Sequence, residues 1–252
     1  MSPNMITARN RLHGQEAGLR YLALATDYDA TLAHNGRVAP ATVEALERVR
    51  ASGRRLIVVT GRQLEDILAI FPQIHLFDRV VAENGALLYQ PATREMKVLA
   101  EPPPDQFPAA LRARGVQPLS TGHVIVATAK PHEGTVVEVI RELRLELQVI
   151  FNRSAVMVLP SGINKATGLA AALRELGLSP HNTVAIGDAE NDHAFLRLCE
   201  FAVAVLDAIP TLKERSDYVT RRDGSAGVIE IIEGLIANDL RDLEPCVRIG
   251  SV

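Results

Sequence analysis

The stretch Tyr21-Leu22-Ala23-Leu24-Ala25-Thr26-Asp27-Tyr28-Asp29-Ala30-Thr31-Leu32 runs from an unbroken apolar segment straight into two carboxylates and a threonine. An apolar run without polar alternation fits a strand buried on both faces, as in a parallel sheet covered by helices. Such a strand presents Asp27 and Asp29 at its carboxyl end, where an open α/β sheet gathers its ligands. Two carboxylates and a hydroxyl at that place suit phosphoryl transfer through a covalent aspartyl phosphate, provided a cation screens the phosphate from the attacking carboxylate.

Three further segments supply matching parts. Leu56-Ile57-Val58-Val59-Thr60-Gly61-Arg62 is a second apolar strand ending in a hydroxyl, and Val184-Ala185-Ile186-Gly187-Asp188-Ala189-Glu190-Asn191-Asp192 is a third, ending in an acidic cluster. Between them Asn164-Lys165 puts a cation at the start of a helix. Between the first two strands, Val43, Leu46 and Val49 recur at helical spacing, opened by Pro40 and closed by Gly53, which are helix start and stop signals. A helix through Leu64, Ile67, Leu68 and Phe71 stops at Pro72, and the apolar run Val80-Val81-Ala82 ends at Glu83-Asn84-Gly85. Strands alternating with amphipathic helices predict an α/β fold built on a doubly wound parallel sheet.

In this order the segments resemble the DxDxT, strand-end threonine, lysine and GDxxND motifs of the haloacid dehalogenase superfamily of phosphatases. The resemblance runs from about Leu22 to about Ile232. From Gly85 to about Gly162 the rhythm changes: short strands at 87–89 and 95–99, a Pro102-Pro103-Pro104 break, helices over about 105–114 and 131–143, a strand at 123–128, and a hairpin of 147–151 and 155–159 turning at Asn152-Arg153-Ser154. An inserted α/β cap at this point is similar to the Cof-like branch of the superfamily (type IIB cap, including sugar phosphatases), as is Glu83-Asn84-Gly85-Ala86. The expected organisation is therefore an extension over 1–19, a catalytic core over 20–85 and 162–238, a cap over 86–161 and a tail over 239–252. After Lys165 the core resumes with a helix stopped by Gly177, another over 192–199, short strands at 201–205 and 218–220, and a helix over 227–236.

The resemblance implies roles for individual residues. Asp27 would be the nucleophile and Asp29 the general acid and base. Thr60, Gly61, Arg62, Lys165 and Asn191 would bind the phosphate or the substrate. Asp27, the backbone carbonyl of Asp29, Asp188 and Asp192 would hold Mg²⁺, a hard cation that prefers oxygen ligands. The helix that starts after Asn164 would aim free N–H groups at an anion. Apart from the resemblance, Lys130 and His132 after the strand at 123–128 and Arg153 on the hairpin turn either contact a polar substrate or are solvated loop charges, the commoner case. Ala30 departs from the family, which most often has glycine there; if the position needs a positive φ, alanine is strained by about 1 kcal/mol.

Composition narrows the field. With 27 Lys and Arg against 30 Asp and Glu, and a formal charge of −3, the chain offers no electrostatic footprint for nucleic acid. No apolar stretch approaches the roughly 18 residues needed to cross a bilayer, and the first twenty residues contain no apolar signal core, so a soluble, cytoplasmic protein is expected. Cys199 and Cys246 give neither a disulfide framework nor metal spacing. The expected activity is a Mg²⁺-dependent phosphatase acting on a small phosphomonoester, a sugar phosphate or a phosphoglycolate-like acid. A phosphomutase with the same intermediate and a non-catalytic phospholigand binder are the alternatives. A receiver-type signalling module also combines acids, a hydroxyl and a lysine, but needs neither the cap nor the late acidic motif.

Overall fold

A computed structural model describes residues 19–243. The extension over 1–18, Met5 and Cys246 lie outside the described residues. The core strands β1 (Ala23–Thr26), β2 (Arg55–Val59), β3 (Arg79–Ala82), β4 (Leu87–Gln90) and β5 (Glu95–Val98) come first, and the cap strands follow as β6 (Ser120–Thr121), β7 (Val126–Ala129), β8 (Leu147–Asn152) and β9 (Ala155–Pro160). β10 (Thr183–Gly187), β11 (Phe201–Ala204) and β12 (Tyr218–Val219) return to the core. The helices in chain order are α1 (Pro40–Ala51), α2 (Leu64–Ile70), α3 (Gln106–Ala113), α4 (Glu133–Glu142), α5 (Lys165–Glu175), α6 (His193–Leu198), α7 (Pro210–Lys213) and α8 (Gly224–Asn238).

The core is one eight-stranded sheet in the order β12-β11-β10-β1-β2-β3-β4-β5, parallel from β12 through β3. β1 lies between β10 and β2, and all four of its residues are fully buried. That burial is why the run from Tyr21 to Ala25 is apolar instead of alternating. α1 packs on α8 and α5 on α6, giving the helical layers that cover the sheet. Each buried Leu, Ile or Val stabilises the core by roughly 1.5–3 kcal/mol relative to its exposed state.

The boundary between core and cap differs from the sequence expectation. β4 and β5, assigned above to the cap, pair antiparallel with β3 and with each other and extend the large sheet. Apolar Leu87, Leu88 and Tyr89 are buried in the main core, so the hairpin is an edge of that sheet. The cap proper is the four-stranded antiparallel sheet β6-β7-β9-β8. It has its own core, in which Phe107 and Leu111 of α3 and Val136 and Val139 of α4 meet Val126, Val156 and Val158.

The chain leaves for the cap and returns from it at one place. Leu99 N–H bonds to the Ala86 carbonyl at 2.8 Å on the way out. On the way back the Asn164 carbonyl lies so close to Gly85 that a Cβ there would sit 1.9 Å from it. Gly85 also has φ +105°, so glycine is required twice over.

The expected strand at 123–128 starts later, at Val126, and the reason is specific. The N–H groups of His123, Val124 and Ile125 bond to the carboxylate of Glu83 at 2.8, 2.7 and 2.9 Å, so they do not join a ladder. Glu83 is fully buried and ties the cap to the end of β3. The tail expected from Asp239 also begins as part of the fold. The Asp239 carboxylate accepts from the Arg20 N–H at 2.5 Å and pairs with the buried Arg54 guanidinium at 2.9 Å, locking the end of α8 to the start of β1.

Candidate active site

The carboxyl ends of β1, β2 and β10 meet because the strands are adjacent and in register; the Asp27 N–H bonds to the Ile186 carbonyl at 2.9 Å across that junction. Asp27, Asp188 and Asp192 are brought together with one carboxylate oxygen each inside a 4.8 Å cluster, all three buried. Lys165, at the start of α5, sends its ammonium between two of them, 2.5 Å from Asp27 and 2.6 Å from Asp192. Its side chain is 1% exposed, and the Phe195 ring lies 5.6 Å from the nitrogen.

The electrostatics of this cluster are unbalanced. Burial pushes the Asp27 carboxyl well above the usual range, against the pull of Lys165, and the neighbouring Asp192 and Asp188 push the same way. Burial and then the charge of Asp192 also raise Asp188, while Arg153 and Thr31 lower it. Desolvation acts against the charged Lys165, but the two carboxylates outweigh it and hold the ammonium above its ordinary pKa. Three buried carboxylates against the Lys165 ammonium and the Arg153 guanidinium still leave an excess of negative charge, and oxygen donors of this kind fit a hard divalent cation such as Mg²⁺. Asp192 is braced for such a role, because its second oxygen accepts the N–H groups of Asp188 and Ala189 at 2.8 and 3.0 Å.

Asp29 is not a member of the buried cluster. Its carboxylate is gripped by the Nε and Nη2 of Arg62, both at 2.7 Å. Arg62, expected to reach substrate, is thus occupied by the neighbouring carboxylate. Its fork and the 5.8 Å approach of its guanidinium to the Tyr28 ring hold it in place. Thr60 is buried and its hydroxyl oxygen accepts from the Arg62 N–H at 3.1 Å. Thr31 donates to Asp188 at 2.9 Å.

Another correction concerns the start of α5. The Asn164 side chain accepts the N–H groups of Ala166 and Thr167 at 2.9 and 3.2 Å in a capping box. Those two groups are spent on the cap, and the charge that α5 brings to the cluster is the ammonium of Lys165.

Asn191 lies beside Asn84, donating to it at 2.9 Å. Among the described residues neither Asn84 Nδ2 nor Asn191 Oδ1 has a hydrogen-bond partner, although both atoms are buried. The pair packs near Gly61, where an added Cβ would meet the sulfur of the cap residue Met157 at 3.3 Å. Sequence reasoning assigned no site role to Glu83 or Asn84. The available signal was an acid and an amide ahead of a glycine at a strand end; Glu83 and Asn84 have φ +50° and +55°, conformations that for residues other than glycine accompany functional constraint. Of the three cap candidates, His132 bonds to Gln117 of its own unit at 2.9 Å. Arg153 crosses to the core, its Nη2 2.6 Å from Asp188.

Ala30 does adopt the positive φ in question, +63°. Replacing it by glycine is expected to raise stability by about 1 kcal/mol through relief of left-handed strain. The urea midpoint would rise at unchanged slope; an unmoved midpoint would show that the turn carries no such strain.

The family model for haloacid dehalogenase-like hydrolases matches residues 24–106 and 142–232, a span that holds every residue of the cluster. The chain belongs to the haloacid dehalogenase-like hydrolases. Among curated members, the phosphoglycolate phosphatase of Methanothermobacter thermautotrophicus is 30% identical over 219 residues, covering 83% of this chain and 96% of its own length. In fold, a haloacid dehalogenase-like hydrolase from Bacteroides thetaiotaomicron superposes with a TM-score of 0.72 at 20% identity, over 85% of this chain and 99% of its own. The sucrose-phosphatase of Synechocystis, solved with sucrose and phosphate, gives 0.64 at 21% identity over 85% and 97%. This haloacid dehalogenase-like hydrolase is a phosphatase, an enzyme that cleaves phosphoric monoesters. Among the described residues no helix is long and apolar enough to cross a membrane. Burial pushes the Cys199 thiol up to about 12.

Proposed function

We propose that this phosphatase hydrolyses a small organic phosphomonoester, a sugar phosphate or a phosphoglycolate-like acid, by way of a phosphoryl group carried on Asp27, with Mg²⁺ as cofactor. The observation that carries the reading is the Lys165 ammonium between Asp27 and Asp192 beside Asp188: a nucleophile, a phosphate-binding cation and an acidic metal set in one buried cluster.

Asp27 attacks phosphorus in line, and the ester oxygen leaves with a proton from Asp29. Asp29 then takes a proton from water as that water attacks the aspartyl phosphate and frees inorganic phosphate. Arg62 fixes the direction of Asp29 by its two-pronged grip. Lys165 and the Thr60 hydroxyl hold the equatorial oxygens on which charge accumulates. Asp27, Asp188, Asp192 and the backbone carbonyl of Asp29 would hold Mg²⁺, which when bound would supply positive charge between the anionic nucleophile and the anionic ester. Asn191 and Asn84 border the same space, and Gly61 leaves room between them and the cap.

The test is phosphate release from a panel of small phosphomonoesters with Mg²⁺, with chelator, and with Mg²⁺ restored. Chelation is expected to lower turnover by about 10²-fold or more, with recovery on adding the metal back. Full activity in chelator would remove the metal from the mechanism; no release from any ester would overturn the phosphatase assignment of the site.

A further inference from the structure

We infer that Arg153, at the tip of the cap hairpin, is a substrate-binding residue that selects phosphomonoesters bearing a second anionic group, a carboxylate above all, close to the ester oxygen. The inference rests on the phosphatase reading of the site and goes further by naming the class of leaving group.

Arg153 lies in the turn between β8 and β9, with φ +53°. It is the described cap cation that reaches the catalytic cluster, its Nη2 standing 2.6 Å from Asp188 while its backbone N–H lies 3.2 Å from Glu190. The other two cations of the site are already engaged. Arg62 uses Nε and Nη2 together on Asp29, and Lys165 is enclosed by Asp27 and Asp192. Arg153 spends a single N–H on Asp188, and its Nε and Nη1 have no partner among the described residues. Its side chain is 56% exposed, whereas Asp188 beneath it is 2% exposed. An open guanidinium edge therefore stands in solvent directly beside the buried Asp188.

The surroundings give this edge a purpose. Around Arg153 itself stand the acids Asp188 and Glu190, and Asp207 adds negative charge near it. A leaving group with its own carboxylate would be repelled from such a rim unless one cation met it, and a planar guanidinium with a free edge binds a carboxylate by two parallel hydrogen bonds. A neutral polyol gains little from the same edge.

The experiment compares 2-phosphoglycolate with 2-hydroxyethyl phosphate, the same skeleton with a hydroxymethyl in place of the carboxylate, and uses p-nitrophenyl phosphate as a general ester. The ratio of kcat/KM values, phosphoglycolate over hydroxyethyl phosphate, is expected to be about 10² for the native protein, in keeping with a charge-assisted paired contact. In Arg153→Gln the ratio is expected to fall close to unity, and in Arg153→Lys, which keeps the charge without the fork, to lie between. A native ratio near unity, or an equal loss on both esters in Arg153→Gln, would overturn the inference and leave Arg153 as a tie between cap and core. Release from p-nitrophenyl phosphate without a carboxylate preference would overturn only the inference; absence of release from all three would overturn the phosphatase reading and the inference with it.

Discussion

Asp27→Asn is expected to reduce phosphate release by about 10⁴-fold or more, the scale seen when a nucleophile that forms a covalent intermediate is removed. The amide is close to the carboxylate in size, and Lys165 keeps Asp192 as a partner at 2.6 Å, so the fold is expected to survive. Stability should hold or rise, since the substitution removes one of the carboxylates crowded into the cluster. Steady-state release of phosphate, with a parallel melting curve, checks both halves. Residual turnover within about tenfold of native in a folded variant would point to a nucleophile other than Asp27.

Lys165→Met is expected to have the largest effect on stability. The ammonium is 1% exposed and is the partner of two buried carboxylates. Methionine fills similar space and leaves both uncompensated, which costs about 3–5 kcal/mol when one side of a buried ion pair is deleted. The measurement is urea unfolding in chelator, because a bound divalent cation would take over part of the lost charge. Turnover is expected to fall by about 10²–10³-fold from loss of the contact to the phosphoryl oxygens. Adding Asp27→Asn should restore part of the stability, and a double-mutant cycle reads that coupling directly. A cost below about 1 kcal/mol, or strict additivity, would mean that the carboxylates do not depend on Lys165.

The sheet was legible because its central strands are buried on both faces, so Tyr21 to Ala25, Leu56 to Val59 and Val184 to Ile186 read as unbroken apolar runs. The positions of Asp27, Thr60 and Asp188 followed from standing just beyond those runs. What escaped depends on partners distant in sequence. Nothing local shows that Glu83 takes three N–H groups from residues 123–125, or that Asn164 consumes the N–H groups expected to face an anion. Arg62 was legible as a cation beside the site, but its commitment to Asp29 across 33 positions was not. The edge hairpin of β4 and β5 was assigned to the wrong unit because short strands next to a turn look alike whether they extend a sheet or begin a new one.

The single joint at which the chain leaves for the cap and returns, Ala86 with Leu99 and Gly85 with Asn164, bears on how such a protein changes over evolutionary time. An insert whose two ends meet leaves the strand order of its host undisturbed, and lengthening a closed loop adds only about 0.6 kcal/mol for each doubling. With its own apolar centre built from α3, α4 and the antiparallel strands, the cap is a cassette: a lineage can lengthen, recolour or replace it while the carboxylates stay beyond the strand ends and the lysine at the start of α5. Diversification in what is accepted and constancy in what is done to it then reside in separate stretches of one gene.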